Sequence, residues 1–266
     1  MSTARKLGAV YIFTFHTMMA YRAQAFIWIL TDAIPAVVMP LVWIASYQGR
    51  TQLGGFAPNQ MVMYYLFTLM LNSFITSHVQ WDIANDIREG KFSVPLVRPF
   101  PYYLYMLVTN FSWRINRTIL AAPVFGLGLW LYRDMITFTG FTLGAGFWAT
   151  LLAGHLLSFS MVFCMGILAL YFQEIRNVLD LYYIPMLFLS GSIAPVALLP
   201  HSVQAASTYL PFRFTLSVPL EVLMGRTHGT DMWWAFANQL GWIVLFGAIS
   251  IIMWKRGLKH YTGVGM

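Results

Sequence analysis

Apolar residues run along this chain in stretches that are much longer than those of a soluble domain. A helix needs about 20 mostly apolar residues to cross the hydrocarbon core of a bilayer. Polar, glycine-rich or proline-bearing turns separate six apolar stretches, of which the fifth is broken early by Pro185 and Gly191. They cover residues 25–47, 60–81, 115–132, 146–172, 181–191 and 232–254. The pattern predicts an all-α polytopic membrane protein with six transmembrane helices.

The N-terminal segment, residues 1–24, has a different pattern. Its apolar side chains recur at helical spacing between charged ones, which predicts an amphipathic helix lying in the membrane interface. A cleaved secretory signal is disfavoured because Arg22 sits beside the possible cleavage site Ala23-Gln24-Ala25 and a long apolar run follows at once.

Residues 191–231 contain apolar runs that are too short to span and are interrupted by prolines. Such runs suit re-entrant helices, so we expect a lid over the outer side of a pathway. The polar step Ser190-Gly191-Ser192 before them is either a gate or only a helix break. No internal repeat is evident, so residues 1–266 are expected to form a single transmembrane domain.

The composition also indicates that most of the protein surface faces lipid rather than water. Apolar residues make up 59% of the chain and charged residues 9%, whereas about 25% of a soluble domain is charged. The net charge of +7 does not indicate nucleic-acid binding, because the basic residues lie at the ends of apolar runs rather than in one patch. With the N-terminus inside, twelve basic residues fall on the cytoplasmic side and four outside. This bias predicts that both termini are cytoplasmic.

The sequence lacks the common motifs of nucleotide-binding and catalytic sites. It has no GxxxxGK[ST] phosphate loop, no HExxH and no GxSxG. Its one cysteine, Cys164, and its six scattered histidines give no spacing for a disulfide or a metal site. We therefore expect a chain that is not an enzyme and that binds no metal and no cofactor itself.

Three charged residues fall within or at the start of predicted spans, where a charge at the helix centre costs about 2.5–3.5 kcal/mol. Asp32 lies about two turns into the first span, and Arg114 and Arg117 begin the third from the same side of the bilayer. Pairing of Asp32 with one of these arginines or with Arg22 is favoured over a direct contact with substrate.

Uncharged polar residues inside the spans leave two interpretations open. Asn72 and Thr76 share one face of the second span, and His155 lies among small and polar residues of the fourth. Helix packing and a translocation pathway explain Asn72 and Thr76 equally well, whereas an interhelical hydrogen bond is the favoured role of His155.

The loop between the second and third spans, residues 82–101, is rich in charge. Asp82, Asp86 and Glu89 share a helix face, Gly90 suits the C-terminal cap, and Pro95 limits continuation. This predicts a cytoplasmic helix of about two turns, followed by an extended strap. Because far fewer residues could join two helices, a docking element that passes a rigid-body push to these spans is favoured over a solvated connector.

Within this loop, Asp86-Ile87-Arg88-Glu89-Gly90-Lys91-Phe92-Ser93 leads to Leu96-Val97-Arg98-Pro99. This stretch resembles the cytoplasmic loop of ABC transporter permeases of the type-2 exporter superfamily, in its small branch of transport-system permeases. The resemblance extends over essentially the whole chain, mostly as hydropathy, and its specific part runs from Arg-Glu-Gly-Lys to Arg-Pro.

The resemblance implies a permease of an ATP-driven exporter in the bacterial plasma (inner) membrane. It implies six spans, an interfacial N-terminal helix, a coupling helix between spans two and three, and re-entrant helices between spans five and six. ATP and Mg²⁺ would be bound by a separate cytoplasmic ATPase, and the permease would pair with a second copy or a related permease. The residues it assigns to ATPase coupling are Asp82, Asp86, Arg88, Glu89, Gly90 and Lys91.

Two other classes of protein are alternatives to an exporter. A secondary transporter or channel would need coupling-ion carboxylates near the midplane or inverted repeats, and Asp32 alone is thin support for it. An intramembrane enzyme would need converging acid, base or metal groups, which the sequence does not show. The apolar spans suggest an amphipathic or lipid-like substrate and leave its identity open.

Overall fold

The computed structural model of the chain describes residues 3–20, 22–97, 100–172, 174–259 and 261. Arg98 and the side chains of Arg22 and Asp32 lie outside the described residues. The described part is helical and contains no strand. Its helices are α1 Thr3–Ala20, α2 Arg22–Tyr47, α3 Pro58–Ile75, α4 Val79–Arg88, α5 Ser93–Leu96, α6 Tyr102–Leu131, α7 Ala145–Ile167, α8 Arg176–Leu189, α9 His201–Ser207, α10 Pro211–Leu223 and α11 Gly229–Gly257.

Helix α7 lies at the centre of the bundle and contacts α3, α4, α10 and α11. Two glycines let its backbone come close to its neighbours. A Cβ at Gly154 would lie 2.4 Å from the carbonyl oxygen of Thr215 in α10, and a Cβ at Gly166 would lie 3.0 Å from the Cα of Gln80 in α4. Small residues at such positions are typical of helix packing in membranes.

Two apolar cores lie along α7. One joins α3, the first part of α7 and the buried helix α10. The other joins the start of α4, the start of α6 and the end of α7, with Trp254 of α11 packed against it. Phe92, which follows α4 and is 0% exposed, belongs to this second core and fixes the loop to the bundle.

Two of the described helical stretches are long and apolar enough to cross a membrane, namely Ala145–Leu170 and Gly229–Gly257. A shorter apolar stretch covers Ala33–Tyr47 in α2. The remaining predicted spans coincide with parts of α3, α6 and α8. The all-helical prediction is confirmed for the described residues, and the count of six spans stays a prediction.

The structure corrects three local predictions from the sequence. The second span does not continue to residue 81, because the helix ends at Ile75 and restarts at Val79. The third begins at Tyr102 rather than at residue 115. The strap after α4 is not extended, since Ser93–Leu96 forms one helical turn.

Candidate functional site

The first candidate site is the charged surface of α4, which has three turns rather than the expected two. The helix ends where the sequence predicts. Gly90 has φ +71°, a conformation that glycine adopts without a Cβ penalty. The N–H of Gly90 donates to the carbonyl of Ile87, and the N–H of Phe92 donates to that of Asp86 at 3.0 Å. These bonds close the helix and turn the chain toward the second core.

The side chains assigned to coupling lie together on α4 and the turn after it. Arg88 and Glu89 are exposed, and Arg88 Nη2 donates to Asn85 Oδ1 at 3.3 Å. Lys91 Nζ lies 2.6 Å from Glu89 Oε2. The hydrogen bond and charge of Lys91 hold the pKa of Glu89 below its ordinary value, so this exposed pair is ionised at neutral pH.

Asp82 and Asp86 occupy the same face, one turn apart, and their charges interact. Desolvation and the charge of Asp86 raise the pKa of Asp82 to about 6, although part of its side chain reaches the surface and Arg114 opposes the shift. The acidic face of α4 is therefore only partly ionised near pH 6.

A crevice of about 270 Å³ separates α4 from the start of α8. Trp81, Asn85 and Arg88 line it on one side, and Glu174 and Arg176 on the other. The sequence predicts a coupling surface made only of α4 and the turn after it. The structure brings the segment before α8 beside it, so a partner that touches Arg88 also meets Glu174 and Arg176.

The second candidate site is the break between α3 and α4. Residues 76–78 leave the helix, and side chains from α6 and α7 take up the polar groups that the break exposes. Ser158 Oγ accepts from the N–H of Ser77 at 3.1 Å, and Asn110 Nδ2 donates to Ser77 Oγ at 2.8 Å. Hydrogen bonds from two neighbouring helices therefore stabilise the break.

Four of the polar residues predicted inside the spans meet at this break. Thr76 Oγ1 donates to Asn72 Oδ1, and Arg114 Nη2 donates to His78 Nδ1 at 2.8 Å. Asn72, Thr76, Arg114 and Arg117 line one cavity of about 120 Å³. The contact between Asp32 and an arginine stays a prediction, because the side chain of Asp32 lies outside the described residues.

His155 is separate from that group. It is buried, and its Nδ1 donates to the carbonyl oxygen of Phe74 at 3.0 Å. The rings of Phe74 and Phe111 lie 5.3 and 5.5 Å from the imidazole. This is the interhelical hydrogen bond that was favoured from the sequence, in an apolar setting.

His78 is the site residue that sequence reasoning missed. It lies at the end of a predicted span and has no motif around it, so no local signal connects it with Arg114, which is 36 residues away. Among the described residues, no group of three or more His, Cys, Asp or Glu side chains could hold a metal ion.

The comparisons with known proteins bear on both sites. A family model described as "ABC-2 family transporter protein" matches residues 33–265, which include α4, the break, the crevice beside α4, and all of the residues lining the second cavity except Trp28 and Thr31. No individual curated protein matches the chain. The match confirms the resemblance first seen in the loop of residues 82–101. The chain therefore belongs to the ABC-2 family of membrane transport proteins.

Proposed function

We propose that the chain is the transmembrane permease subunit of an ATP-driven exporter, with ATP and Mg²⁺ bound by a separate cytoplasmic ATPase. Membership of the ABC-2 family supports a transport subunit. The observation that supports the coupling role is the way in which α4 packs against the bundle. Its charged side is exposed, while Ile83 and the following Phe92 are 0% exposed in the second core.

This packing of α4 provides a physical route by which a movement of the ATPase could reach the spans. Ile83 packs against Gly166, so α4 rests on α7 as well as following α3. The sequence suggested a push on the second and third spans, and the contacts add the fourth. A partner that displaces α4 must therefore move the central helix of the bundle, because closely packed side chains transmit strain rather than absorb it.

The proposed arrangement in the membrane uses α2, α3, α6, α7, α8 and α11 as six spans. Helix α1, which contacts α6, lies in the cytoplasmic interface, and α9 and α10 form the outer re-entrant region. The permease pairs with a second copy or a related permease in the bacterial plasma membrane, both of its termini are cytoplasmic, and it exports an amphipathic or lipid-like substrate.

The coupling role is tested with the variants Arg88→Ala, Glu89→Ala and Gly90→Pro. Affinity capture of the tagged chain should recover an ATPase subunit, and each variant should lower its ATPase stimulation about tenfold, equivalent to about 1.4 kcal/mol. Membrane insertion should not change, because Arg88→Ala and Glu89→Ala remove exposed charges that contribute little to folding and Gly90→Pro distorts a turn outside the proposed spans.

The matched control replaces another exposed pair, Arg133 and Asp134 at the far end of α6, with alanines. This variant should stimulate the ATPase like the wild type. Recovery of the chain without an ATPase, together with transport driven by an ion gradient, would instead establish the secondary transporter.

A further inference from the structure

Four aromatic rings pack together at the turn that follows α4. Phe92 is 0% exposed in this cluster. The rings of Tyr102, Trp254 and Tyr261 meet its ring edge-on, with centroids 5.2, 5.7 and 5.4 Å away. Tyr102 and Trp254 also stack on each other at 5.1 Å. Aromatic side chains favour edge-to-face and offset-stacked pairs at such distances, so three rings hold that of Phe92 in place. We call these four residues the aromatic clamp.

The residues of the aromatic clamp come from three distant parts of the chain. Phe92 follows α4, Tyr102 begins α6, and Trp254 lies in the last turn of α11. Tyr261 follows the end of α11, and its N–H donates to the carbonyl of Gly257 at 3.1 Å. The aromatic clamp therefore ties the end of α11 to the turn after α4.

The end of α11 is itself held against the central helix. A Cβ at Gly257 would lie 2.8 Å from Cδ1 of Leu170, just beyond the end of α7. Tyr171 Oη donates to the carbonyl of Met253 at 2.6 Å. These contacts keep the last turn of α11 beside α7, so the rings that this part of the chain contributes to the clamp have a defined position.

Tyr261 contributes its ring to the clamp and not its hydroxyl group. Its Oη is buried and has no hydrogen-bond partner among the residues that the structure describes, and the same is true of Tyr102. A buried hydroxyl normally finds a partner. Packing of the ring therefore accounts for the position of Tyr261, and phenylalanine should replace it without loss.

The aromatic clamp lies directly behind the side chains that are proposed to meet the ATPase. Glu89 and Lys91 are exposed, and the residue that follows them is the buried Phe92. The N–H of Phe92 donates to the carbonyl of Asp86 at 3.0 Å, so the position of Phe92 also sets that of the turn. A force on the exposed pair therefore reaches α11 through one buried ring, because closely packed side chains transmit strain.

We propose that Tyr261 is a positioning residue for ATPase coupling. It holds Phe92 in the aromatic clamp, so that the turn keeps the shape in which Glu89 and Lys91 meet the ATPase. A displacement of the turn then moves α11 as well as α7. This role rests on the proposed permease function. The clamping of the turn does not, because it needs this chain alone.

The clamping is tested by amide hydrogen exchange of the purified full-length chain in neutral maltoside micelles, measured by mass spectrometry. In Tyr261→Ala, the hydrogen-bonded amides within residues 89–94 should exchange about tenfold faster than in the wild type, because the turn opens more often when one ring of the clamp is lost. Exchange in α7 should not change. Unchanged exchange of the turn would overturn the proposal, and so would an equal acceleration in α7, because that would be a general loss of stability.

Two further variants identify the ring as the group that acts. Tyr261→Phe should exchange like the wild type, because the hydroxyl has no partner among the described residues. Tyr209→Ala removes a ring that is 76% exposed and lies between α9 and α10, so this control should also exchange like the wild type. Exchange in Tyr261→Phe as fast as in Tyr261→Ala would overturn the role of ring packing.

The coupling role is measured as ATPase stimulation in the complex recovered by affinity capture. Tyr261→Ala should lower the stimulation about tenfold, equivalent to about 1.4 kcal/mol, and Tyr261→Phe should retain it. Faster exchange of the turn with unchanged stimulation would overturn the positioning role. Recovery of the chain without an ATPase would overturn the permease function and the coupling role with it, while the exchange measurement would still decide whether Tyr261 holds the turn.

Discussion

Gly154 shows how strongly one residue can control the packing of α7. The atom nearest to a Cβ at this position is a backbone oxygen of α10, which cannot rotate away as a side chain would. Gln239 Nε2 of α11 donates to the carbonyl oxygens of Thr150 and Phe214 on either side of this contact, at 2.9 and 2.8 Å. Three helices therefore meet where Gly154 has no side chain.

Gly154→Ala should destabilise the chain by about 1–3 kcal/mol through overpacking. Thermal unfolding in detergent, followed by tryptophan fluorescence, should show a lower midpoint. Gly247→Ala is the control, because Gly247 also lies within a helix but has no atom within 4 Å of its Cβ position. A midpoint for Gly154→Ala equal to that of Gly247→Ala would contradict the close approach of α7 and α10.

At the scale of elements, α4 combines a firmly packed apolar side with an acidic face whose charge depends on pH. The pKa of Asp82 is raised from 3.8 to about 6 by desolvation and by Asp86. Below about pH 3, the carboxyl group is neutral in both the folded and the unfolded chain. Between these values the folded chain binds more protons, so the free energy of unfolding falls as pH rises.

The Asp82→Asn variant has no carboxyl group at this position, so it does not pay the free-energy cost of ionising a desolvated one. The unfolding midpoint of the variant should match that of the wild type at about pH 3 and exceed it at about pH 7.5. Asp134→Asn, at an exposed position outside α4, should show no such change with pH. Parallel curves for Asp82→Asn and the wild type over this range would show that the carboxyl group is not desolvated.

The sequence predicts elements well where the cause is local. Gly90 ends α4 as expected, because a left-handed residue after a helix needs only its own backbone. The start of α6 was misplaced because Arg114 and Arg117 suggested a membrane boundary. Arg114 is instead 6% exposed and contacts His78, a long-range contact that no local pattern contains.

The same limit applies to the two candidate sites. The charged residues of α4 are consecutive in the sequence, so their grouping could be predicted. The cavity could not, because Asn72 comes from α3, Arg114 from α6 and Ser190 from the turn after α8, and only the fold brings them together. From the sequence, the turn Ser190-Gly191-Ser192 is either a gate or a helix break, and the structure places both of its serines at the cavity.

At the scale of the whole molecule, the distribution of basic residues predicts the orientation. Thr51, between α2 and α3, and Ser93, in α5, are both exposed and lie on opposite sides of the membrane in the proposed arrangement. The only native cysteine, Cys164, is buried. Single cysteines can therefore report the sidedness of the chain.

In a Cys164→Ser background, Thr51→Cys should react with a membrane-impermeant maleimide in intact cells. Ser93→Cys should react only after the membrane is opened. The reverse pattern would show that the chain is inverted, and labelling of both in intact cells would rule out α3 as the single span between them. Cys164→Ser without an added cysteine gives the background signal.

The two glycines of α7 have one more consequence, which concerns mechanics. Gly154 meets α10 and Gly166 meets α4, twelve residues or roughly 18 Å apart on one continuous helix. An α-helix resists changes in length because every peptide group is hydrogen-bonded along the axis. The stretch of α7 between the two contacts is thus a stiff rod, which holds α4 and α10 at a fixed separation.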